Sequence, residues 1–163
     1  MDLISHILWT YVFFSQTEAV LLAILFGILP DIIAFIPLTM YQLYKKEPWR
    51  AFHMGLLQQR WTLYPQKLRA FTVTVYAITH SIVIFSLVFV STALFFGVQW
   101  WLLGWLLHII IDIPTHKKTF FGTQIWYPFS TWAYKGIPWE TRQVLVINAT
   151  TLVLAYTTIL VLF

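Results

Sequence analysis

The chain has 163 residues, of which 60% are hydrophobic and only 10% are charged, and its mean hydropathy is +0.75. Soluble domains average about 25% charged residues, so this composition excludes an ordinary soluble protein and predicts one integral membrane domain over residues 1–163. The net charge of +4 then bears on membrane orientation and gives no reason to expect nucleic acid as a partner. Because the chain has no cysteine, disulfides and thiolate metal ligands are also excluded.

The apolar segments, in chain order, predict an all-α bundle of about four transmembrane helices that follow a short N-terminal helix. Residues 3–14 are apolar but too few to span a bilayer, which takes about 20 residues, so we expect a short buried or re-entrant helix. The sequence Ser15-Gln16-Thr17-Glu18 has the pattern of a capping box and predicts that the first span begins there. The four spans are expected at about 17–44, 71–97, 99–116 and 141–163.

The connections predict the orientation of the chain in the membrane. All ten lysines and arginines lie in or next to two loops, 45–70 and 117–140, and two spans joined by an uncharged turn separate these loops. Both loops therefore lie on one side, and the positive-inside rule makes that side cytoplasmic. We expect a protein of the prokaryotic inner membrane, with His53 of the first loop at the surface.

The segment 99–116 carries three ionisable residues despite its apolar character. His108 and Asp112 are four residues apart, so on a helix they lie on one face, about 5–6 Å from each other. His116 continues the row beyond Pro114, which is expected to kink the helix. Ionisable groups inside a membrane usually face the bundle interior and mark a site. Imidazole and carboxylate at this spacing form half of a divalent-metal site, which needs ligands from other helices.

Other segments place polar residues at a similar depth. Asp31 follows Pro30 in the middle of the first span, His80 lies inside the second, and His6 begins the short helix. At 1.5 Å rise per residue, these groups converge with His108 and Asp112 in the cytoplasmic half of the bilayer. Each of them could instead be a buried polar group that hydrogen bonds between helices satisfy. The predicted metal ligands are His80, His108, Asp112, Asp31 and His6, with Asp31 as a possible general base and His6 or His116 as proton donor.

Three neighbouring residues are candidates for contacts with a substrate. Lys117 and Lys118 directly follow the histidine row, and we expect them to set topology and contact lipid headgroups, with a substrate phosphate as the alternative. Ser81 adjoins His80. No G-x-S-x-G turn surrounds this serine, so a role in helix packing is favoured over a role as nucleophile.

These motifs resemble those of the membrane-bound metal-dependent hydrolases, a family that includes the LexA-binding inner-membrane hydrolase-like proteins. The resemblance covers residues 1–130 and rests on an early His6 and on Gly27-Ile28-Leu29-Pro30-Asp31-Ile32, Thr79-His80-Ser81 and Gly104-Trp105-Leu106-Leu107-His108-Ile109-Ile110-Ile111-Asp112. It implies a multi-helix inner-membrane protein with a zinc-like site and hydrolytic activity. The implied site residues are His6, Asp31, His80, His108 and Asp112. Many members carry a second acid where Ile33 stands, so one ion is expected, with two as the alternative.

The leading hypothesis for function is a metal-dependent hydrolase that acts on a lipid-borne ester or phosphoester at the cytoplasmic side. A metal-ion transporter is an alternative, because H-x-x-x-D also occurs in zinc exporters, although the chain shows few spans and no inverted repeat. A catalytically silent, metal-binding membrane adaptor is another. The lipid phosphatases that end in H-x-x-x-D rank low, because their Lys-Arg-Pro motif is missing here. Membrane lipids are the expected partners, and the oligomeric state is left open.

Overall fold

The computed structural model describes residues 1–46 and 54–162. Within these two ranges the chain is helical and has no strand, which confirms the predicted all-α class for them. The predicted surface position of His53 lies outside the described residues. The α-helices are α1 (Leu3–Phe14), α2 (Val20–Tyr44), α3 (Met54–Arg60), α4 (Gln66–Thr79), α5 (Ile82–Phe96), α6 (Leu103–Thr115) and α7 (Arg142–Leu162).

The predicted number of four spans is wrong for the part of the chain that the structure describes. Two helices there are long and apolar enough to cross a membrane, Val20–Tyr44 and Arg142–Val161. Helices α4 and α5 add a third only when they are counted as one span, which is bent by 57°. The predicted span 99–116 consists of a short 3-10 turn and the 13-residue helix α6. At 1.5 Å per residue, α6 covers about 20 Å of a hydrocarbon core that is about 30 Å thick.

The break between α4 and α5 has a local cause at Ser81. Its backbone is extended, and its hydroxyl accepts hydrogen bonds from the amides of Val83 and Ile84, which makes Ser81 the N-cap of α5. The same hydroxyl donates to the carbonyl of Tyr127 at 2.6 Å, so it also ties the following loop to the break. The predicted span 71–97 is therefore two helices that meet at His80 and Ser81.

The start of α2 also differs from the prediction. The helix begins at Val20, and its N-cap, Ala19, makes no side-chain capping bond. The hydroxyl of Thr17 instead donates back to the carbonyl of Phe14, at the end of α1, at 2.8 Å. The expected capping box is thus not formed, because its threonine closes the turn after the preceding helix.

Helix α2 contacts α1, α4 and α6, and small residues bring it close to two of them. A Cβ atom at Gly27 would lie 2.5 Å from Oγ1 of Thr10 in α1. A Cβ atom at Gly104 of α6 would lie 2.1 Å from the carbonyl oxygen of Ala23. Real Cβ atoms do not approach backbone oxygens this closely, so the crossing of α2 and α6 requires a glycine at position 104.

The loop after α6 folds back on the bundle. The amides of Ile137 and Trp139 donate to the carbonyls of Pro114 and Thr115 at 2.9 and 3.0 Å, so the loop is bonded to the last turn of α6. Phe121 is buried and packs against Phe35 and Tyr76. Part of the predicted cytoplasmic loop 117–140 therefore belongs to the core.

Substitution of Gly104 by alanine is expected to destabilise the fold by about 3 kcal/mol, because the added methyl group collides with backbone rather than with a movable side chain. Unfolding of the purified protein in detergent, followed by circular dichroism, measures the change. Ser91→Ala is the control: Ser91 is exposed on α5, and such changes usually stay within about 0.5 kcal/mol. Equal stability of Gly104→Ala and Ser91→Ala would contradict the close approach of α2 and α6.

Candidate metal centre

Four side chains from three parts of the fold converge between α2, α4 and α6. Asp31 comes from α2, His80 from the residue after α4, and His108 and Asp112 from α6. One potential ligand atom from each lies within 4.8 Å of all the others. The two histidines and Asp112 are fully buried, whereas the side chain of Asp31 is 16% exposed. This group could hold a metal ion.

The distances between the inner atoms fit the coordination shell of a small cation. Nε2 of His80 and Nε2 of His108 are 3.0 Å apart, and Oδ2 of Asp112 lies 3.2 and 3.3 Å from them. Ligands bound tetrahedrally at 2.0–2.1 Å from zinc are separated by about 3.3–3.4 Å. Oδ1 of Asp31 lies farther out, at 3.5 and 3.8 Å from the same two nitrogens. Three atoms are thus closely grouped, and the fourth is looser.

The contacts of Nδ1 in His80 and in His108 explain why the Nε2 atoms of the two rings face each other. Nδ1 of His80 lies 3.0 Å from the carbonyl oxygen of Tyr76, and Nδ1 of His108 lies 2.6 Å from that of Gly27. A carbonyl only accepts, so each Nδ1 carries the proton, and each neutral ring presents a lone pair on Nε2. Metal-binding histidines are usually held in this way.

The inner atoms are consequently all hydrogen-bond acceptors. Two ring nitrogens and a carboxylate oxygen point into one space, and among the described residues Oδ2 of Asp112 has no hydrogen-bond partner. Acceptors this close repel one another unless a positive charge lies between them. A bound cation or an additional proton on one of the rings would supply that charge, and separations of 3.0–3.3 Å are compatible with either.

Hydrogen bonds to Thr79 fix the break that carries His80. Its hydroxyl lies 3.0 Å from the carbonyl oxygen of Val75 and 3.4 Å from that of Pro30, next to Asp31 in α2. Nε1 of Trp105, in α6, donates to the carbonyl of Thr79 at 2.6 Å. The segment that presents His80 is therefore joined to both helices that carry the other three side chains.

The second oxygen of Asp112 belongs to a different set of contacts. Oδ1 lies 3.1 Å from Nε2 of His6 and 3.3 Å from Nδ1 of His116, and the amino group of Met1 also contacts it. The ring of His6 stacks on that of His108, with centroids 3.8 Å apart. The structure thus places His6 and His116 beside the four-residue group, where both contact Oδ1 of Asp112 rather than Oδ2.

The remaining predicted residues lie at the margin of this centre. Lys117 and Lys118 are exposed in the loop that begins after α6, and the hydroxyl of Ser81 caps α5. Sequence reasoning missed Tyr76, whose carbonyl faces Nδ1 of His80 and whose ring stacks on the same histidine with centroids 3.7 Å apart. Its position four residues before His80 is the signal that could have found it.

No protein-family model, no curated protein and no solved structure matches this chain. The resemblance to the membrane-bound metal-dependent hydrolases therefore stays a prediction that rests on short motifs. The arrangement of Asp31, His80, His108 and Asp112 stands independently of it, because it follows from the packing of this chain's own helices.

Proposed function

We propose that this protein is a membrane-embedded, metal-dependent hydrolase that acts on a lipid-borne ester or phosphoester. The observation that carries the proposal is the uneven spacing of the four side chains. Two histidines and Asp112 lie 3.0–3.3 Å apart, while Asp31 lies 3.5–3.8 Å from the histidines and is partly exposed. Catalytic zinc sites combine three protein ligands with an open fourth position, whereas structural sites are closed by four.

The donor set also bears on the identity of the ion. Imidazole nitrogen and carboxylate oxygen, without thiolate, suit zinc and its neighbours among the divalent transition metals. The four side chains surround one space, so we propose a single ion and assign it as zinc. Its ligands would be His80, His108 and Asp112.

The roles of the side chains follow from their distances and exposure. A divalent cation bound there would supply an activated water and would polarise the scissile bond. Asp31 is the base that accepts the proton of the attacking water, because its carboxylate is the outermost of the group and the least buried. His6 and His116 hold Oδ1 of Asp112 and thereby aim Oδ2 at the ligand nitrogens. Protonation of the leaving group by either histidine would require it to leave Asp112.

The surroundings of Asp31 favour a lipid substrate. Helix α2 is itself long and apolar enough to cross a membrane. On other faces of the same helix, Ile33 and Ile36 are 44% and 51% exposed, so α2 presents an apolar surface. The carboxylate of Asp31 is itself 16% exposed within this apolar helix, so a substrate with acyl chains can reach it from within the bilayer. Lys117 and Lys118 lie just after α6, where a phosphate of that substrate would meet positive charge.

The distribution of basic residues supports a location in the prokaryotic inner membrane with the site toward the cytoplasm. Described basic residues follow the C-terminal end of α2 and the C-terminal end of α6. Helices α4, α5 and the 3-10 turn that leads into α6 lie between these two basic stretches, and the turn carries no charge. We assign both stretches to the cytoplasmic face by the positive-inside rule, which requires the bent α4–α5 pair to lead the chain into the membrane and the 3-10 turn with α6 to return it.

Turnover of lipid esters and phosphoesters in mixed micelles, with zinc or with a chelator, tests the proposal. Zinc is expected to be required. Asp31→Asn is expected to lower turnover by at least about 100-fold, the usual contribution of a general base, while most of the bound zinc is retained. Elemental analysis of the same samples gives the metal content. Glu18→Gln, an exposed acid-to-amide change, is the matched control and should leave both quantities unchanged.

The other outcomes assign other functions. Zinc bound without turnover of any lipid tested would identify a metal-binding adaptor. Zinc flux across proteoliposomes that contain the protein would identify a transporter. If Asp31→Asn loses both its bound zinc and its turnover, Asp31 is a ligand, and its role as base is rejected.

A further inference from the structure

A cavity lies at the C-terminal end of α2, about 16 Å along the helix from Asp31. Its volume is about 220 Å³, and it lies between the last turn of α2, the end of α3 and the 3-10 turn that follows. It is lined by Tyr41, Gln42, Lys45, Arg60, Leu63 and Tyr64. None of these residues belongs to the metal centre, so this cavity needs its own explanation.

The buried glutamine in its wall indicates a ligand. Gln42 is only 1% exposed, and its Nε2 donates to the hydroxyl of Tyr64 at 2.7 Å. Its Oε1 is buried and has no hydrogen-bond partner among the described residues. A buried acceptor without a partner costs free energy, so a ligand that offers a hydroxyl or another donor would gain affinity by supplying the missing hydrogen bond.

Two basic residues line the same cavity. Nζ of Lys45 lies 5.8 Å from the centre of the Tyr41 ring and 5.5 Å from that of Tyr44, so cation–π contacts hold the ammonium group at the rim. Arg60 lines the cavity from the end of α3. Arginine and lysine together are typical of phosphate sites. Leu63, which is 74% exposed, gives the cavity an apolar edge.

We infer that this cavity binds the headgroup of an anionic phospholipid. The phosphate would lie between Lys45 and Arg60, and a hydroxyl of the headgroup would donate to Oε1 of Gln42. Phosphatidylglycerol has both features. The inference rests on the membrane location of the protein and is independent of the proposed hydrolase activity, because none of its residues contacts the metal centre.

Native mass spectrometry of the full chain in neutral detergent, titrated with short-chain lipids, measures this binding. Phosphatidylglycerol is expected to bind at least about tenfold more tightly than phosphatidylcholine of the same chain length, which has no headgroup hydroxyl and no net charge. Lys45→Ala and Gln42→Leu should each weaken phosphatidylglycerol binding by about fivefold or more. Circular dichroism of each variant confirms that it is folded.

Lys46→Ala is the matched control, because Lys46 is exposed, adjacent in sequence and outside the cavity wall. It removes the same charge and should change binding by less than about twofold. Equal losses for Lys45→Ala and Lys46→Ala would show general attraction to the basic surface and would overturn the inference. Binding of inorganic phosphate or glycerol phosphate as tight as that of the lipid would assign the cavity to a soluble ligand and would also overturn it.

Discussion

Replacement of His80 or His108 by alanine is expected to weaken zinc binding by more than about 100-fold. Each change removes one of the closely spaced inner atoms, and loss of a supporting contact alone already costs 10–100-fold in metal affinity in known sites. The two histidines come from different elements but their Nε2 atoms lie 3.0 Å apart, so the two variants should behave alike. Elemental analysis and competition with a chromogenic chelator measure the affinity.

His116→Gln is the control for these variants. His116 contacts Oδ1 of Asp112 and lies outside the group of four, so its replacement should cost about tenfold. Equal losses for His116→Gln and His80→Ala would mean that the inner nitrogens do not bind the metal. A content of two zinc ions per chain in the unaltered protein would contradict a single-ion site.

The members of the site were predictable because charge is costly inside an apolar segment. Asp31, His80, His108 and Asp112 stand out from their surroundings, and the four-residue spacing of the last two puts them on one helix face. Convergence from different segments followed from depth alone, because helical rise converts sequence distance from a basic loop into height in the bilayer. These arguments need no tertiary contact, so the sequence alone predicts the four side chains that the structure brings within 4.8 Å of one another, and their binding of a metal stays a prediction.

Which oxygen of Asp112 each histidine contacts could not be predicted from the sequence. The sequence predicts His6 as a ligand or proton donor and His116 as a proton donor, yet both contact Oδ1 of Asp112, while Oδ2 faces the other two histidines. Which oxygen faces which ring depends on side-chain rotation and on the way α1 packs against α6. The pattern of residue types carries no information about either.

The helix boundaries were predicted poorly for a related reason. Hydropathy averages over many residues, so the apolar run 71–97 gives no sign that Ser81 turns its hydroxyl to cap a new helix. The run 99–116 is apolar over its whole length, but it begins with a 3-10 turn, and only α6 is regular helix. Composition thus located the apolar segments, and local hydrogen bonds decided where each helix ends.

Zinc is expected to raise the unfolding temperature of the unaltered protein and to leave that of Asp112→Asn unchanged. A ligand at 100 times its dissociation constant stabilises the folded state by about 2.7 kcal/mol. For a chain of this size that corresponds to a shift of roughly 5–10 °C. Asparagine keeps the shape of Asp112 but removes the negative charge that faces both ligand histidines, so the affinity for zinc, and with it the shift, should be lost.

The comparison is made within each variant, with and without zinc, so a general loss of stability from Asp112→Asn does not enter it. Glu18→Gln removes one negative charge at an exposed position and should retain the full shift. Because Asp112 is the residue that joins both sides of the centre, its two oxygens contacting different histidines, it is the most demanding test of a metal-based explanation. An equal zinc-dependent shift in Asp112→Asn would show that zinc binds without this carboxylate and would contradict the proposed centre.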